Sequence, residues 1–320
     1  MSLMEMWADS AADGNASLVK QGNPTHHLCV CICTFKRPEL LKRLLLSLSN
    51  QKTEDIFTFS IVVSDNDAMQ SARPVVDAFA SQSSIPVTYC AEPQQNIAMA
   101  RNNALAHSEG DFVLFIDDDE FAIDSWLNTL LSTCLKHNVD GVLGPVKPFF
   151  EAEVPKWLTK GRFFDRQFHA TGSIVKWPEA RTGNVLFRKR ILDGMVTPFR
   201  PEFATAGEDV DFFRQMIEKG CTFIWCDEAV AYESVPASRC TRSYVLKRAL
   251  LRGSNFPKHP RHRMRNLAKS LIAVPCYTLA LPVLALFGDH VFMSFLTKLV
   301  DHGSRLLAFA GLPLTRQRNI

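Results

Sequence analysis

The feature that most constrains this fold is a regular alternation, beginning at His27, of short β-rich runs with longer amphipathic runs. Strands are expected at LCVCICTF, FSIVVSDND, PVTYC and DFVLFID, and helices at PELLKRLLLSLSNQ, ARPVVDAFASQ and IAMARNNALAHS. Such alternation is typical of parallel strands that are joined by crossover helices. The sequence therefore predicts a doubly wound α/β unit of the nucleotide-binding type.

The alternation becomes looser after Asp117. A helix is expected at DSWLNTLLSTCLKH, one strand at DGVLGPVKPFF, a strand at RTGNVLFRK, a helix at AGEDVDFFRQMIEKG and two strands in CTFIWCDEAVAYESVP. Residues 151–179 form an irregular stretch rich in aromatic and basic side chains. With 320 residues, of which 47% are hydrophobic, the chain can bury one large core or two modest ones.

Polar residues follow three of the predicted strands, at 34–37, 64–67 and 117–120. In open α/β sheets, ligands bind beyond the carboxyl ends of the strands, where loops and helix N-termini meet. We therefore expect these three segments to line a binding site.

Four consecutive acids, Asp117 to Glu120, end an apolar run. Carboxylates crowded at one strand end repel one another unless a cation or a hydrogen-bonding ligand compensates their charge. Oxygen ligands at this spacing suit Mg²⁺ or Mn²⁺, which is commonly held by one or two carboxylates plus phosphates. A solvated run of acids in a turn is the alternative interpretation. Glu120 itself is expected to face solvent or a basic neighbour.

Taken in order, these stretches resemble glycosyltransferase family 2. VCICTFKRPELLKRLLLSL resembles the opening strand and helix of that family, IVVSDND its nucleotide-base strand and FIDDDE its DxD motif. NIAMARNNAL and the GED of residues 207–209 match the family in the same order, and the similarity covers residues 28–236. The resemblance implies the GT-A fold, a nucleotide-sugar-binding α/β fold with a doubly wound mixed sheet, for residues 27–236.

The resemblance also implies a set of substrate-binding residues. These are Thr34, Phe35, Arg37, Asp65, Asn66, Arg101, Asp117, Asp118, Asn184 and Glu208. Within the set, Thr34 and Phe35 are expected to lie against the nucleoside, and Asp65 to accept a hydrogen bond from the uracil edge. Arg101 is expected to approach the base or the phosphates.

Simpler structural roles stay open for several residues. An Asx turn at a strand end is the alternative for Asp65 and Asn66, and an ordinary Gly-Asn turn for Asn184. Four aromatic residues of the irregular stretch could stack on a sugar, but packing of a lid onto the core is favoured. These residues are Trp157, Phe163, Phe164 and Trp177.

By the same resemblance, Asp119 stands at the metal-binding position of the DxD motif, Asp118 at a ribose contact and Asp117 at a second metal contact, direct or through water. The implied cofactor is Mn²⁺ or Mg²⁺. Family members often have a histidine near the end of the catalytic domain as a further ligand, but this chain has Tyr232 there. Glu233 is the available substitute, and the third protein ligand stays open.

Asp209, in AGEDVDF, is implied to be the general base. An inverting transfer needs one carboxylate that takes a proton from the acceptor hydroxyl. The alternative is that Glu208, Asp209 and Asp211 only stabilise the N-terminus of a helix through its dipole.

Residues 237–320 are expected to form a basic and apolar helical region. Ten Lys or Arg residues lie between Arg239 and Lys269, residues 234–288 contain no acid, and residues 270–288 carry no Asp, Glu, Lys or Arg. No motif that reads RNA or DNA accompanies the basic run, so nucleic acid is not an expected partner. Arg239, Arg248 and Arg252 are candidates for contact with the diphosphate of the donor or of an acceptor lipid.

A membrane surface is the expected partner of this region. The uncharged run is long enough to span a bilayer, but Pro275 and Pro282 favour a shallow or re-entrant helix beside anionic headgroups. FMSFLTKLVDHGSRLLAFAGLP is expected to be a second, interfacial helix. Residues 1–26 do not resemble a secretory signal and are expected to be flexible, which places the protein at the cytoplasmic face of the inner membrane, peripheral or monotopic. A helix packed on the enzyme or on a second copy is the alternative.

These expectations describe a metal-dependent, inverting glycosyltransferase that uses a UDP-sugar, with UDP-glucose favoured, to extend a polyprenyl-diphosphate-linked saccharide in bacterial exopolysaccharide or cell-surface polysaccharide biosynthesis. A non-catalytic nucleotide-sugar-binding or scaffold protein with the same fold is the alternative. A nucleotidyltransferase is less favoured, because CTFKRPE lacks the Gly-rich phosphate loop of such enzymes.

Overall fold

The computed structural model describes residues 25–203, 207–255 and 263–312. The expected flexible segment 1–26 therefore lies almost entirely outside the described residues. The strands of the described part are β1 (His26–Thr34), β2 (Phe57–Asp65), β3 (Val87–Ala91), β4 (Phe112–Phe115), β5 (Glu120–Ala122), β6 (Gly141–Leu143), β7 (Val146–Phe150), β8 (Val185–Arg188), β9 (Phe223–Trp225) and β10 (Ala231–Val235).

Nine α-helices accompany these strands within the described part. They are α1 (Pro38–Ser49), α2 (Arg73–Ala80), α3 (Ile97–Ala106), α4 (Trp126–His137), α5 (Lys156–Lys160), α6 (Glu208–Glu218), α7 (Arg242–Asn255), α8 (Arg263–Leu284) and α9 (Asp289–Phe309). Short 3₁₀ segments lie at Lys189–Leu192, Pro201–Phe203, Ala237–Arg239 and Ala285–Phe287.

The main sheet has seven strands in the order β3-β2-β1-β4-β8-β6-β9. Strands β1 to β4 are parallel to one another, whereas β8 is antiparallel to both β4 and β6. The expected doubly wound α/β fold with a mixed sheet is therefore confirmed. Thr34 and Asp65 are paired at the ends of β1 and β2, so the polar segments that follow these strands begin side by side.

A second sheet has three strands in the order β5-β10-β7. The expectation of one strand at DGVLGPVKPFF is wrong, because the segment forms β6 in the main sheet and β7 in the second sheet. Gly144 and Pro145 make the transition between them. A Cβ on Gly144 would clash with the Ala229 carbonyl oxygen, so glycine is needed at this close approach. Pro145 has no N–H to donate to a sheet ladder, which separates one strand from the other.

The core lies on both faces of the main sheet. Alternate residues of β1 point to opposite faces, and both sets are buried: Leu28 and Val30 join one cluster with the leucines of α1, while Cys29 and Cys31 join another with α3 and α6. Burial on both faces explains why this strand is a continuous apolar run without polar alternation.

A third, smaller cluster attaches the C-terminal helices to this body. It contains Leu158 of α5, Phe164, Val235 of β10, Cys240 and Val245 of α7. The aromatic stretch thus packs onto the core, which is the interpretation favoured from the sequence. Phe164 stacks on Tyr244 at a centroid distance of 6.4 Å.

Candidate functional site

The expected site lies where β1, β2 and β4 end. A tight turn at residues 117–119 follows β4 and leads into β5, so its three aspartates stand beyond the carboxyl end of the sheet. Their exposure differs: the Asp117 side chain is 45% exposed, that of Asp118 7% and that of Asp119 13%. Asp117 is therefore the most accessible to a ligand.

Asp118 connects the acidic turn to the end of β1. Its Oδ2 accepts a hydrogen bond from the Thr34 hydroxyl at 2.8 Å, and its Oδ1 accepts one from Arg37 Nη1 at 3.1 Å. Burial raises the pKa of Asp118, although Arg37 and Thr34 oppose that effect. Phe35 lies beside them, half-buried, with the Lys36 ammonium 5.1 Å from its ring centroid.

Asp119 is held between two arginines. Arg37 Nη1 lies 3.2 Å and Arg239 Nη1 lies 3.6 Å from its Oδ2. Burial, followed by repulsion from Asp117, Asp118 and Glu233, nevertheless raises the pKa of Asp119 to about 6. Burial and the neighbouring acids therefore disfavour the ionised form of Asp119 more than the two guanidinium groups favour it.

Glu120 points inward, to a basic neighbour and not to solvent. It is fully buried, its Oε2 accepts a hydrogen bond from the Asp117 N–H at 3.2 Å, and Arg166 Nη2 lies 3.7 Å from its Oε1. That Oε1 has no hydrogen-bond partner among the described residues. Burial, with repulsion from Asp117, raises the pKa of Glu120 well above its usual range.

Gly183, between Thr182 and Asn184, lies directly against these acids. A Cβ at this position would lie 2.8 Å from Glu120 Oε1 and 3.0 Å from Asp117 Oδ2. Only glycine leaves both carboxylates in place, which explains the glycine of the TGN motif by close approach.

Arg101 brings the acidic turn and the start of α6 together. It is buried, it donates to Glu208, and its Nη2 lies 3.8 Å from Asp117 Oδ1. Its guanidinium also lies 5.6 Å from the centroid of the Phe199 ring. Burial raises the pKa of Glu208, an effect that Arg101 opposes.

Asp209 follows Glu208 in the first turn of α6, after Gly207 with a φ of 94°. Its side chain is 16% exposed, its Oδ1 accepts the Val210 N–H at 2.7 Å, and Arg181 Nε lies 3.9 Å from its Oδ2. The neighbouring Asp211 is engaged differently, since it accepts hydrogen bonds from Arg200, Arg214 and Gln215. Asp209 thus keeps a partly open carboxylate, whereas Asp211 is a structural residue.

Asp65 is fully buried at the end of β2. Its Oδ1 accepts the Asp67 N–H at 3.1 Å, and its Oδ2 accepts the Ala72 N–H at 2.9 Å and the Tyr89 hydroxyl at 3.0 Å. The Asp67 contact is an Asx turn, the alternative that the sequence left open. Protein donors already bind both carboxylate oxygens of Asp65. The expected hydrogen bond from uracil to Asp65 stays a prediction.

Asn66 joins this strand end to the loop before α3. Its side-chain amide donates to the carbonyl oxygens of Glu92 and Gln94, and its Oδ1 accepts the Asn96 N–H at 3.0 Å. Asn96 then caps α3 by accepting the Ala98 N–H at 2.9 Å. These contacts position the helix that carries Arg101.

Asn184 is also fully buried, with a φ of 61°. Its Oδ1 accepts a hydrogen bond from the Trp126 indole, and its amide donates to the carbonyl oxygens of Pro145 and Ala229. No side-chain atom of Asn184 is left exposed for a substrate, so this arrangement favours the turn interpretation. Its role as a substrate ligand stays an untested prediction.

Three side chains that sequence reasoning missed or placed only loosely complete the site. Glu233 of β10 is paired with Glu120 of β5 across the second sheet, and it binds both Arg166 Nη2 at 2.6 Å and Arg239 Nη1 at 3.5 Å. Tyr232 stacks on Phe121 at 5.5 Å. Arg166 had no motif to mark it, and only its position among the aromatic and basic residues of 151–179 hinted at a role.

The donor set fits a hard divalent cation that also has phosphate ligands. Asp117 and Asp119 offer carboxylate oxygens, and the pKa of Asp119 is raised by burial and, after it, by repulsion from its acidic neighbours, so a bound cation would favour the ionised form. Within the described residues, no group of three His, Cys, Asp or Glu side chains is arranged to hold a metal alone. Mn²⁺ or Mg²⁺ would therefore depend on a ligand for part of its coordination.

Comparisons with known proteins identify the family of the chain and support its fold. The model of the family described as Glycosyl transferase family 2 matches residues 29–194. The succinoglycan biosynthesis protein ExoM of Rhizobium meliloti (strain 1021) is 34% identical over 235 residues, which cover 72% of this chain and 74% of that protein. The GalNAc(5)-diNAcBac-PP-undecaprenol beta-1,3-glucosyltransferase of Campylobacter jejuni is 30% identical over 109 residues, covering 32% of this chain and 33% of that protein.

Solved structures are similar in fold. S. aureus TarS 1-349 in complex with UDP covers 89% of this chain and 90% of its own, with a TM-score of 0.53 and 17% identity. The same protein in complex with UDP-GlcNAc covers 65% of this chain and 58% of its own, with a TM-score of 0.52 and 21% identity. At these identities the likeness supports the GT-A-like architecture and nothing finer.

Proposed function

The chain belongs to glycosyl transferase family 2, and on that premise we propose that it is an inverting transferase that moves glucose from UDP-glucose to a polyprenyl-diphosphate-linked saccharide. The product would be an intermediate of a bacterial exopolysaccharide or another cell-surface polysaccharide.

The names of similar proteins support this choice of substrates. One relative is a succinoglycan biosynthesis protein, and another is a glucosyltransferase whose acceptor carries a diphosphate-linked undecaprenol. A similar fold has been solved with UDP-GlcNAc. Glucose and N-acetylglucosamine are therefore the two donor sugars to compare first. A lipid-linked acceptor also fits a protein that works at the cytoplasmic face of the membrane.

The observation that carries the proposal is the position of Arg101. It contacts Asp117 of the acidic turn and Glu208 at the start of α6. Two acidic motifs that are about ninety residues apart in the chain thus share one buried cation. Donor-binding and proton-accepting groups need to be close together in a transferase, and this contact supports such an arrangement.

Each acidic residue has its own part in the proposed reaction. Asp117 and Asp119 would hold Mn²⁺ or Mg²⁺, which when bound supplies positive charge for the departing diphosphate. Asp209 would take the proton of the acceptor hydroxyl as that oxygen attacks the anomeric carbon from the side opposite to UDP. Arg37 and Arg239, which contact Asp119, would help to neutralise the diphosphate of UDP.

An assay of UDP release tests the proposal. The full chain is incubated with UDP-glucose, UDP-GlcNAc or UDP-galactose, with and without lipid extract, in the presence of Mn²⁺ or of a chelator. We expect UDP release that needs both one donor and the lipid extract, and label from the sugar in the lipid fraction. Binding of UDP-sugars without turnover on any extract would instead indicate a non-catalytic binding or scaffold protein. Transfer of the nucleotide monophosphate would indicate a nucleotidyltransferase.

A further inference from the structure

Helix α8 and the 3₁₀ segment that follows it carry a wide apolar face that the described part of the chain leaves uncovered. The segment Met264–Phe287 is 24 residues long, and of an 18-residue apolar stretch within it only 6% is buried, although its length and composition would allow it to cross a membrane. The most exposed apolar side chains include Ile272 at 66%, Leu279 at 80% and Leu286 at 85%. Apolar side chains exposed together over such a length mark an interaction surface.

The opposite face of α8 packs along α9. Ser270 near the start of α8 is hydrogen-bonded to His302 near the end of α9 at 2.9 Å, and Tyr277 packs on Phe295 at a centroid distance of 5.6 Å. The two helices therefore form an antiparallel hairpin whose contacts extend along α8. The exposed apolar face is therefore one side of a folded pair of helices.

Helix α9 is in turn fixed to α7 and, through α7, to the catalytic body. Arg252 Nε of α7 donates to Asp301 Oδ1 at 3.0 Å, and Arg242 Nη2 lies 2.8 Å from Asp289 Oδ2. Val245 of α7 belongs to the cluster that contains Phe164 of the body. If α8 crossed a bilayer, α9 and its ion pairs would enter the hydrocarbon with it, which is strongly unfavourable.

The charge near this face favours one kind of occupant. Residues 234–288 contain no Asp or Glu, and Arg265 and Lys269 are exposed in the first part of α8. Anionic headgroups complement this charge. A second copy of the chain would instead bring the same basic residues to a symmetric contact.

We propose that α8 docks in the plane of an anionic lipid surface, with its exposed apolar face in the boundary between headgroups and acyl chains, and that it does not span the bilayer. The biological role of this docking rests on the proposed function, because a helix that lies flat on the membrane brings the α/β body close to a lipid-linked acceptor. Its physical basis, the uncovered face and the anchored hairpin, is independent of the reaction.

Vesicle binding by the full chain tests the docking. Wild-type protein is sedimented with vesicles of phosphatidylcholine mixed with phosphatidylglycerol, and with vesicles of phosphatidylcholine alone. We expect stronger binding to the mixed vesicles, and a loss of roughly tenfold in Leu279→Glu and Leu286→Glu. Val196→Glu, at a site that is 94% exposed outside the C-terminal helices, is the matched control and should bind as wild type. Equal binding by all variants would overturn the proposal.

The orientation is tested on the wild-type sequence by labelling Cys276, which is exposed in the middle of α8. A fluorophore on Cys276, with Cys276→Ser as the labelling control, should be quenched more by lipids with a spin label near the headgroup than by lipids labelled deep in the acyl chain. Stronger quenching from the deep label would show a span and overturn the in-plane arrangement.

Two further outcomes separate this proposal from its rival and from the proposed function. A concentration-dependent dimer that Leu279→Glu dissociates, without vesicle binding by the wild type, would assign the face to a second copy and overturn lipid docking. UDP binding measured by calorimetry without vesicles should be equal in Leu279→Glu and wild type. If UDP binds nowhere while docking persists, the proposed function fails and the membrane surface stands.

Discussion

At the scale of single residues, the site is a set of carboxylates in unequal surroundings. Asp117 is 45% exposed, Asp118 is tied to Thr34, and Asp119 lies between Arg37 and Arg239. Identical side chains in a row thus differ in exposure and in partners, because each meets different neighbours. The same holds at the start of α6, where Asp211 is occupied by arginines while Asp209 keeps an accessible oxygen.

Asp209→Asn is expected to lower turnover at least about a hundredfold while UDP-sugar affinity stays close to that of wild type, because an amide cannot accept the proton of the acceptor hydroxyl. UDP release measures the first quantity and calorimetry the second. Glu218→Gln, an exposed charge removal on the same helix, is the control and should retain wild-type turnover. Unchanged turnover in Asp209→Asn would exclude its role as general base.

The raised pKa of Asp119 predicts a dependence of stability on pH in metal-free protein. Its pKa is about 6 in the fold and near 3.8 when unfolded, so between these values the folded state holds a proton that the unfolded state lacks. The free energy of unfolding should therefore fall as pH rises from about 4 to about 6, by on the order of 1–3 kcal/mol for this group. Urea titrations at several pH values measure this slope.

Asp119→Asn should flatten that slope relative to wild type, because the titrating group is gone. Glu208 contributes in the same direction in both proteins, whereas Asp119 is one cause of the raised pKa of Glu120. The difference between the two curves therefore reports Asp119 together with the part of the Glu120 shift that depends on it. Parallel curves would show that Asp119 does not carry the raised pKa.

At the scale of elements, strand β10 completes the site from far along the chain. It pairs antiparallel with β5, which brings Glu233 opposite Glu120, and its Ser234 N–H donates to the Asp119 carbonyl oxygen at 2.8 Å. The backbone of the acidic turn is thus fixed by a strand more than a hundred residues later. Arg239 follows β10 closely and is placed by the same pairing.

Two glycines in the C-terminal helices give a prediction about packing. A Cβ on Gly253 of α7 would lie 2.5 Å from the Asp301 carbonyl oxygen, so Gly253→Ala should lower the free energy of unfolding by roughly 1–3 kcal/mol. A Cβ on Gly303 of α9 would meet no atom within 4 Å, so Gly303→Ala should raise it by up to about 1 kcal/mol through helix propensity. Thermal and urea unfolding check both values. Equal effects of the two variants would contradict the close contact of α7 with α9.

At the scale of the whole molecule, an α/β body and a helical unit meet close to the acidic turn. The 3₁₀ segment Ala237–Arg239 joins them, and Arg239 reaches Asp119 from that junction. The body carries most of the acids, whereas residues 234–288 carry none and α9 carries only Asp289 and Asp301, so the two parts differ in charge as well as in structure. Because Arg239 at the junction of the two parts reaches Asp119, a ligand at the acidic turn should stabilise the molecule as a whole.

UDP together with Mn²⁺ is expected to raise the melting temperature, and a chelator should remove most of that increase. Binding only to the folded state stabilises it by about 2.7 kcal/mol when the ligand concentration is a hundred times its Kd. Differential scanning fluorimetry measures the shift, and Asp119→Ala should show little of it. An equal shift by UDP in the presence of the chelator would mean that Arg37 and Arg239 bind the diphosphate without metal.

The sequence by itself determined the alternation of strands and helices, the polar strand ends and the acidic turn, because these depend on local periodicity and on residue chemistry within a few positions. The family of the chain was also recognisable from its motifs. The prediction of a single strand at DGVLGPVKPFF was wrong. The segment is apolar on both sides of Gly144 and Pro145, but its two halves pair with different sheets.

Only the tertiary structure decided which polar residues form hydrogen bonds and ion pairs with one another. In the sequence, Asn184 and Asp65 resemble accessible binding residues. In the structure, however, Asn184 accepts a hydrogen bond from the Trp126 indole, and Asp65 accepts one from the Tyr89 hydroxyl. Arg166 carries no motif, and Glu233 was expected only as a substitute metal ligand. Sheet pairing places Glu233 opposite Glu120, and Arg166 enters the site by binding Glu233. The physical reason is that hydrogen bonds and ion pairs form over a few ångströms in space, and the separation of residues along the chain does not limit them.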